Sequence, residues 1–316
     1  MAEAILSKDV DTIFVTTPAA GYAVGEVIQL PDGRAGVLSG LVARVSGDPA
    51  AFAVSGQFAL AKTASVVILK GAPLYWDRSA GTVTPLQAVA GADFFIGTAV
   101  DDAAAAATTV VVNLNVEPVY VIDLMRDRFT TVAVGSSTIA SLPGYLKFNI
   151  IATNEAEKTD AISDFSVPVT IPFIVEGRMA SLDGSDNTVD MNVGIANATH
   201  ATSADTIGES VFIHLNETAD LNIYAESDDG TTEVAATDTT VNYVDNTFFD
   251  FAFDCRDLSD IQIYINGVNV LPATVFAIDA ATGPLCLLAH IEKTTGTATG
   301  EMRVGKLALR TMDVAN

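Results

Sequence analysis

The sequence predicts a protein that is built almost entirely from β-strands and divided into two domains. With 316 residues, the chain is long enough to bury two separate hydrophobic cores. Hydrophobic residues make up 49% of it but aromatic residues only 7%, a balance typical of β-rich proteins with small side chains. Short apolar runs alternate with Gly, Pro and Asp turn signals, whereas helical periodicity is almost absent. We therefore expect a small N-terminal β-barrel followed by a two-sheet β-sandwich.

The N-terminal part is predicted to contain short strands at intervals of roughly 8 to 12 residues. One turn between them is Pro31-Asp32-Gly33-Arg34, where proline fixes its own φ angle and glycine accepts a positive φ. The stretch 101–108 contains five consecutive alanines and is expected to be a loop, because it is too short for a stable helix. The predicted strands are 13–16, 27–30, 35–38, 51–60, 73–76, 82–85, 94–99 and 109–114.

A domain boundary is predicted around Glu117-Pro118, where the strands become longer and the loops richer in Asp and Thr. We expect an N-terminal domain at 1–117, a connector at 118–139 and a sandwich at 140–316. Asn266-Gly267 is the strongest hairpin signal, because both residues tolerate the positive φ of a type I′ turn. The predicted later strands are 145–152, 165–175, 189–195, 210–215, 221–227, 233–237, 247–254, 261–265, 268–271, 285–292 and 301–310.

The net charge of −23 argues against nucleic-acid binding, since a phosphate backbone would be repelled from most of the surface. The negative charge is unevenly distributed, with a net charge of −5 on residues 1–117 and −18 on residues 118–316. Apolar stretches are broken by Gly or Asp well before the length of a membrane helix, so no membrane partner is expected. Cys255 and Cys286 lie in apolar, strand-like runs, which favours two buried free thiols over a disulfide.

The N-terminal segment resembles a family of phage capsid decoration, or cement, proteins that is often mislabelled as RecA/RadA-like recombinases. The resemblance runs from Ala19 to about Leu114, and the chain has no phosphate-binding loop that would support the recombinase label. It implies a β-tulip-like domain on the outside of a phage head, usually a homotrimer that braces the major capsid protein. The blocks that carry it are residues 25–28, 53–62, 71–77, 80–84 and 95–100.

The C-terminal segment resembles the concanavalin-like, laminin-G-type sandwich modules of phage structural proteins. The resemblance covers about residues 140–311 and implies a jelly-roll fold. Fold analogy alone does not establish sugar binding. The stretches that carry it are residues 191–196, 247–254, 261–268 and 301–309.

Few residues are candidates for a binding site. Trp76 is the only tryptophan of the chain and follows Tyr75. The two residues are either a capsid-contact anchor or part of the core. His200, His214 and His290 lack a second His or Cys at metal-ligand spacing, and the last two are expected to be strand residues with one satisfied nitrogen. The acidic runs 183–186 and 226–230 are either Ca²⁺ ligands or, by default, solvated turns.

Catalysis is not expected. Asp250 and Asp254 share one face of a strand, as the carboxylate pair of a glycosidase would. We expect them instead to face solvent, opposite a core face formed by Phe249, Phe251 and Phe253, and we assign no catalytic residue, metal or cofactor. The sequence thus predicts a structural virion protein that decorates and stabilises the exterior of a phage capsid, with the sandwich facing outward. The alternative is a carbohydrate-binding adhesion module on the head that recognises host or environmental glycans.

Overall fold

The protein consists of β-strands in two compact units, Met1–Val119 and Tyr120–Asn316. The computed structural model describes residues 11–40, 42–86, 93–182, 188–215 and 220–311. All strand pairs named below are antiparallel. The predicted all-β fold is confirmed.

The N-terminal unit contains two small sheets, with strand orders β1-β4-β3-β2 and β5-β9-β8-β6-β7. The edge strands of the second sheet, β5 and β7, are joined by a parallel bridge between Lys62, just after β5, and Val83. The Thr63 amide donates to the Val83 carbonyl at 2.9 Å. This contact closes the five-stranded sheet into a small barrel. The strands are β1 (Thr12–Thr16), β2 (Val27–Gln29), β3 (Ala35–Leu38), β4 (Pro49–Ala53), β5 (Gln57–Ala61), β6 (Pro73–Asp77), β7 (Thr82–Thr84), β8 (Phe94–Ala99) and β9 (Thr109–Leu114).

One side chain ties the two sheets of this unit together. Asn115 follows β9 with a φ of +59°, a conformation that asparagine tolerates better than most residues. Its amide accepts a hydrogen bond from the Ala35 amide at 2.9 Å and donates to the carbonyls of Ala35 and Val54 at 2.9 and 2.8 Å. The end of the barrel is therefore fixed to β3 and to the segment after β4.

The predicted single strand 51–60 is two strands in the structure. Gly56 lies between β4 and β5 with a φ of +109°, which a residue with a side chain rarely adopts. The chain turns there, so β4 and β5 join different sheets. The sequence analysis treated 51–60 as one strand, because the polar interruption Ser55-Gly56-Gln57 is only three residues long and apolar runs lie on both sides of it.

The C-terminal unit is a sandwich of two sheets. The orders are β12-β13-β24-β15-β20-β21-β22, with β10 also paired to β24, and β11-β14-β23-β16-β17-β18-β19. The strands are β10 (Ile122–Asp123), β11 (Phe129–Val134), β12 (Thr138–Leu142), β13 (Tyr145–Ile150), β14 (Glu157–Val167), β15 (Phe173–Leu182), β16 (Asp190–Ala196), β17 (Ser210–Leu215), β18 (Asn222–Asp228), β19 (Glu233–Asn242), β20 (Phe249–Cys255), β21 (Gln262–Ile265), β22 (Val268–Val270), β23 (Leu285–Lys293) and β24 (Gly300–Thr311).

Two parts of this unit differ from the prediction. The segment expected as a connector, 118–139, contributes β10 to one sheet through β24 and β11 to the other through β14. The predicted strand 165–175 is divided between β14 and β15, because Pro168 and Pro172 between them cannot donate to a ladder. The Asn266-Gly267 hairpin is confirmed, with φ values of +48° and +74° between paired Ile265 and Val268.

A single hydrophobic core lies between the two sheets. Phe249, Phe251 and Phe253 project into it from β20, as predicted, and meet apolar side chains of the facing sheet such as Val193 and Ile213. Within the described ranges, no helix has the length and apolar character needed to cross a membrane.

Candidate functional site

A row of polar side chains crosses the seven-stranded sheet of the sandwich. Their neighbours along each strand, such as Val193 on β16 and Ile213 on β17, belong to the core, so alternation places the row on the opposite face. Strand register aligns Asp160, His290, Asn192, His214, Tyr224 and Asp238 in that order.

The polar row is shielded from solvent by the segment 197–209, which we call the covering segment. Asp160, His290, Asn192 and His214 all have 0% exposure. Ala204 and Ile207 of the covering segment, near a short 3₁₀ helix at Ala204–Thr206, pack with Phe212 and Leu288 in a small separate apolar cluster. The Lys158 ammonium donates to the carbonyl of His200 in the same segment. Polar groups that would face water on an open sheet are therefore inside the protein.

His214 lies at the centre of one cluster on this face. Its Nε2 is 2.5 Å from Asp190 Oδ1, and its Nδ1 is 3.6 Å from Asp205 Oδ1 and 3.4 Å from Glu226 Oε2. Asn192 Nδ2 donates to Asp205 Oδ1 at 2.8 Å and to Glu226 Oε1 at 2.9 Å. β16, β17, β18 and the covering segment each supply part of the cluster.

The charge environment of this cluster shifts two pKa values. Burial opposes the charged form of His214, but Asp190 and Glu226 outweigh it and raise the pKa of the imidazole well above its usual value. Burial also raises the pKa of Glu226, an effect that His214 partly offsets. One imidazole thus faces three carboxylates, so the cluster carries an excess of negative charge even when His214 is protonated.

His290 forms a second cluster on the same face, with a different charge balance. Its Nδ1 lies 2.5 Å from Asp160 Oδ1 and its Nε2 lies 3.5 Å from Glu292 Oε2. Lys158 Nζ is 2.7 Å from Asp160 Oδ2. Burial opposes the charged imidazole, yet the bonds to Asp160 and Glu292 raise the pKa of His290 to about 9. Two cations therefore balance two carboxylates here.

Asp190, Asp205 and His214 could hold a metal ion, since one ligand atom from each lies within 4.8 Å of the others. The sequence did not reveal this group, because its members come from two strands and a loop and lack the close spacing of familiar metal motifs. His214 and His290 lie on strands, as expected, and Nδ1 of each forms a hydrogen bond with a carboxylate. Nε2 of His214 also lies close to Asp190, which the sequence analysis did not foresee. One sequence feature could have indicated the cluster: two polar residues, at 190 and 192, lie on a strand that is otherwise apolar.

Tyr75 and Trp76, the predicted anchor residues, lie on β6 and are both half-buried. Trp76 packs against the barrel core, and the Tyr75 ring meets the Phe95 ring edge to face at 6.0 Å and 73°. These contacts account for their burial. Whether either residue also contacts a capsid stays a prediction.

The N-terminal unit exposes apolar side chains that the sequence analysis did not select. Val24, Val42 and Val45 are 53%, 66% and 66% exposed. A backbone bridge between Tyr22 and Arg44, with both N–H···O distances at 2.9 Å, brings their two segments together. We call these three residues the valine group. The sequence around these valines shows no strand or helix periodicity, which is why they were missed.

The carboxylates considered for catalysis are engaged in ion pairs. Both carboxylate oxygens of Asp250 accept hydrogen bonds from Arg178 Nη1, at 3.1 and 2.9 Å. Asp254 is only 8% exposed and contacts Arg256 Nη2 at 2.6 Å, so the expectation that it faces solvent was wrong. The strand supplies the shared face, and an arginine pairs with each of the two carboxylates.

The two acidic runs have different outcomes. Residues 183–186 lie outside the described residues. In the run 226–230, Glu226 points to His214, whereas Asp229 is buried and accepts hydrogen bonds from the amides of Thr231 and Thr232 at 2.8 and 2.7 Å. This run is thus largely engaged inside the fold, and the expectation of a solvated turn was wrong for both residues.

Both cysteines are free thiols. Cys255 is fully buried in the core, where burial raises the pKa of its thiol well above the usual value. Cys286 is half-buried rather than buried as expected, because it lies on β23 opposite the core face. Burial raises the pKa of its thiol as well, which slows reaction with electrophiles.

The fold defines a two-unit, all-β protein in which a small barrel precedes a jelly-roll sandwich. Residues 7–114 match the family model described as Phage cement protein. The resemblance predicted for the N-terminal segment is therefore confirmed over these residues. No curated protein sequence matches the chain.

Several solved structures are distantly similar to a little over half of the chain. An endo-acting O-glycanase of the human gut microbiota has a TM-score of 0.43 at 11% identity, covering 57% of this chain and 85% of the other. The carbohydrate recognition domain of Emp47p has a TM-score of 0.42 at 10% identity, with coverages of 60% and 94%. A carbohydrate esterase of Shiga toxin-encoding bacteriophage phi24B has a TM-score of 0.36 at 12% identity, with coverages of 58% and 90%. These similarities carry no functional argument.

Proposed function

We propose that this chain is a non-enzymatic virion protein that binds the outside of a phage capsid through its N-terminal unit and displays its sandwich outward. The observation that carries the proposal is the match of residues 7–114 to the phage cement family, which lies within the compact unit Met1–Val119. The partner would be the major capsid protein. Binding would stabilise heads by burying surface at the junctions between capsomers.

Surface charge supports this division of roles. The N-terminal segment carries −5 and the remainder −18. A surface that packs against a capsid must lose water, and an unpaired charge buried there is costly. An outward domain has no such constraint, so its excess carboxylates can remain hydrated.

The valine group is the part of the N-terminal unit that best fits a capsid contact. Its three side chains are more than half exposed, and exposed apolar groups that lie together commonly mark interaction sites. We expect Val45→Asp in the full chain to lower occupancy on heads that lack the protein by about tenfold or more, since each 1.4 kcal/mol of lost binding is a factor of ten. Quantitative gel analysis of purified heads measures the occupancy.

The chain offers a matched control in Val244, which is also 66% exposed but belongs to the sandwich unit. Val244→Asp should leave occupancy unchanged. If Val244→Asp released the protein from heads and Val45→Asp did not, the assignment of roles to the two units would be reversed. Equal occupancy for both variants and the parent would remove the valine group from the interface.

We further propose that the chain assembles as a homotrimer, as the family resemblance implies. In the N-terminal unit, β1 and β2 are the edges of the four-stranded sheet, and unpaired strand edges favour association with another chain. We expect native mass spectrometry to return three times the mass of 32.9 kDa. A monomer alone, at every concentration tested, would contradict the trimer without affecting capsid binding.

Glycan adhesion by the sandwich is the second candidate. The polar row that could offer hydrogen bonds to a sugar is buried beneath the covering segment, and this favours the structural role. Specific binding of the purified chain on a glycan array would make adhesion the better description of the sandwich.

A further inference from the structure

We propose that Asp190, Asp205 and His214 form a divalent-cation site, completed by Asn192 and Glu226, on the covered face of the sandwich. The cation would be one that accepts imidazole together with carboxylates, such as Mn²⁺ or Zn²⁺. This site is separate from the valine group and does not depend on the capsid-binding proposal.

The first argument is convergence of donor atoms. One carboxylate oxygen from Asp190, one from Asp205 and a ring nitrogen of His214 all lie within 4.8 Å of one another. An ion bound at about 2.0–2.2 Å from nitrogen and oxygen ligands needs its donors roughly 3 to 4 Å apart. The separations of 3.6 and 3.4 Å from His214 Nδ1 to Asp205 and Glu226 already fall in that range. Asp190 Oδ1 lies 2.5 Å from the other ring nitrogen, Nε2, so Asp190 would have to move away from that contact to join an ion bound at Nδ1.

A second, independent argument comes from the Asn192 side chain. It has 0% exposure, and its Oδ1 has no hydrogen-bond partner among the described residues. Its amide head lies within the cluster, because Nδ2 contacts both Asp205 and Glu226. A buried amide oxygen without a partner is costly, and coordination to a cation would satisfy it. Exchange of the amide oxygen and nitrogen would bring that oxygen next to both carboxylates, where one cation could bind oxygens from all three groups.

Charge provides the third argument. The His290 cluster pairs two carboxylates with His290 and Lys158, whereas the His214 cluster sets three carboxylates against one imidazole. Buried carboxylates are tolerated when they are paired or coordinate a metal. A divalent cation would neutralise the excess that distinguishes this cluster from its neighbour.

The site also has an entrance. The side chains of Asp190 and Asp205 are 24% and 34% exposed, whereas those of His214 and Glu226 are 0% and 9% exposed. The two aspartates therefore lie on the solvent side and the other two groups at the base. An ion could reach the aspartates first without unfolding the sheet.

The donor set selects the type of ion. A nitrogen ligand with carboxylates suits Mn²⁺ and Zn²⁺, whereas Ca²⁺ prefers six to eight oxygen ligands. We therefore expect Mn²⁺ or Zn²⁺ to bind more tightly than Ca²⁺ or Mg²⁺. Asp205 would connect the ion to the covering segment, so occupancy would also fix that segment to the sheet.

The test uses the full chain after treatment with a chelator. Calorimetric titration with Zn²⁺ and with Mn²⁺ should give one site per chain, and Asp205→Asn and Asp190→Asn should each weaken it by at least about tenfold. Asp257→Asn removes an equal charge from an exposed turn and should bind as the parent does. The stoichiometry separates this site from diffuse cation binding to a chain with a net charge of −23.

A spectroscopic readout identifies the ligand directly. The chain has only three histidines, so imidazole ¹⁵N NMR resolves each of them. Zn²⁺ should shift the ring-nitrogen resonances of His214 much more than those of His200 and His290, which are not ligands. Absence of binding by the parent, unchanged binding by both aspartate variants, or a clear preference for Ca²⁺ would each overturn the proposal.

Discussion

Lys293→Met is expected to destabilise the sandwich by about 3–5 kcal/mol, because it would leave a buried carboxylate without its cation. The Lys293 side chain has 0% exposure and its ammonium lies 2.9 Å from Glu157 Oε1, which is equally buried. The same ammonium donates to the carbonyls of Thr153 at 2.8 Å and Ala298 at 3.1 Å. Removing the ammonium would therefore leave buried backbone acceptors, as well as the carboxylate, without a hydrogen-bond partner.

The measurement is urea unfolding followed by two probes. Trp76 is the only tryptophan and lies in the N-terminal unit, so its fluorescence reports that unit, whereas far-ultraviolet circular dichroism reports both. We expect the dichroism transition assigned to the sandwich to move to lower urea while the Trp76 transition stays in place. Equal shifts of both transitions would contradict a local effect.

Two further variants separate charge from packing. Arg128→Met breaks a surface pair in which Arg128 is 88% exposed and should cost less than about 1 kcal/mol. The double variant Lys293→Met with Glu157→Gln removes both charges and should recover part of the loss, since replacing a whole buried pair costs far less than removing one partner. If the double variant were as unstable as the sum of the single variants, lost packing rather than the stranded charge would be responsible.

The sequence predicted strands most accurately where turn chemistry bounds them. β3, β8, β9 and β17 begin and end where the pattern placed them, because polar or glycine-containing turns flank each run. Errors occurred where a short polar turn separates two apolar runs, as at Gly56, and where prolines interrupt a long run, as at Pro168. The strands in 118–139 were missed because β10 is two residues long and β11 alternates weakly.

The candidate site was beyond sequence reasoning for a different reason. His214 and His290 are equivalent as single residues on apolar strands, and the difference between them lies in what the register places beside each. Asp205 reaches the sheet only because the covering segment folds back over it, with Ala204 and Ile207 as its apolar contacts. Local residue spacing reveals neither the strand register nor the return of the covering segment over the sheet. The cluster therefore could not be predicted from the sequence.

The two units use their charges in different ways. The sandwich buries several ionised groups in closed networks, whereas the buried Lys62 of the N-terminal unit donates to backbone carbonyls, including that of Val66 at 2.5 Å. Burial lowers the pKa of Lys62 accordingly. If the capsid-binding proposal is correct, the stability of the outer domain at different pH values would depend on these networks. The network around Glu176 allows that pH dependence to be measured.

Glu176→Gln is expected to lower the stability of the sandwich by about 3 kcal/mol at neutral pH and to have little effect in strong acid. Glu176 lies on β15 and is 8% exposed. Its carboxylate contacts Lys306 at 2.5 Å, Arg310 Nη2 at 3.0 Å and the Tyr120 hydroxyl, which donates to it, at 2.8 Å. Burial opposes ionisation, but Lys306 and Arg310 outweigh it and lower the pKa of Glu176 from 4.5 to about 2.

The pH window follows from the direction of this shift. Since the pKa is lower in the folded chain than in the unfolded chain, the stabilisation is complete above about 4.5 and is lost as the pH falls toward about 2. Urea unfolding of the parent and Glu176→Gln, monitored by circular dichroism at several pH values from neutral to about 2, should show a difference that narrows across this interval. Glu233→Gln, which changes an exposed residue on β19, should follow the parent throughout. A difference that stayed constant with pH would mean that Glu176 acts through shape and neutral hydrogen bonds rather than through its charge.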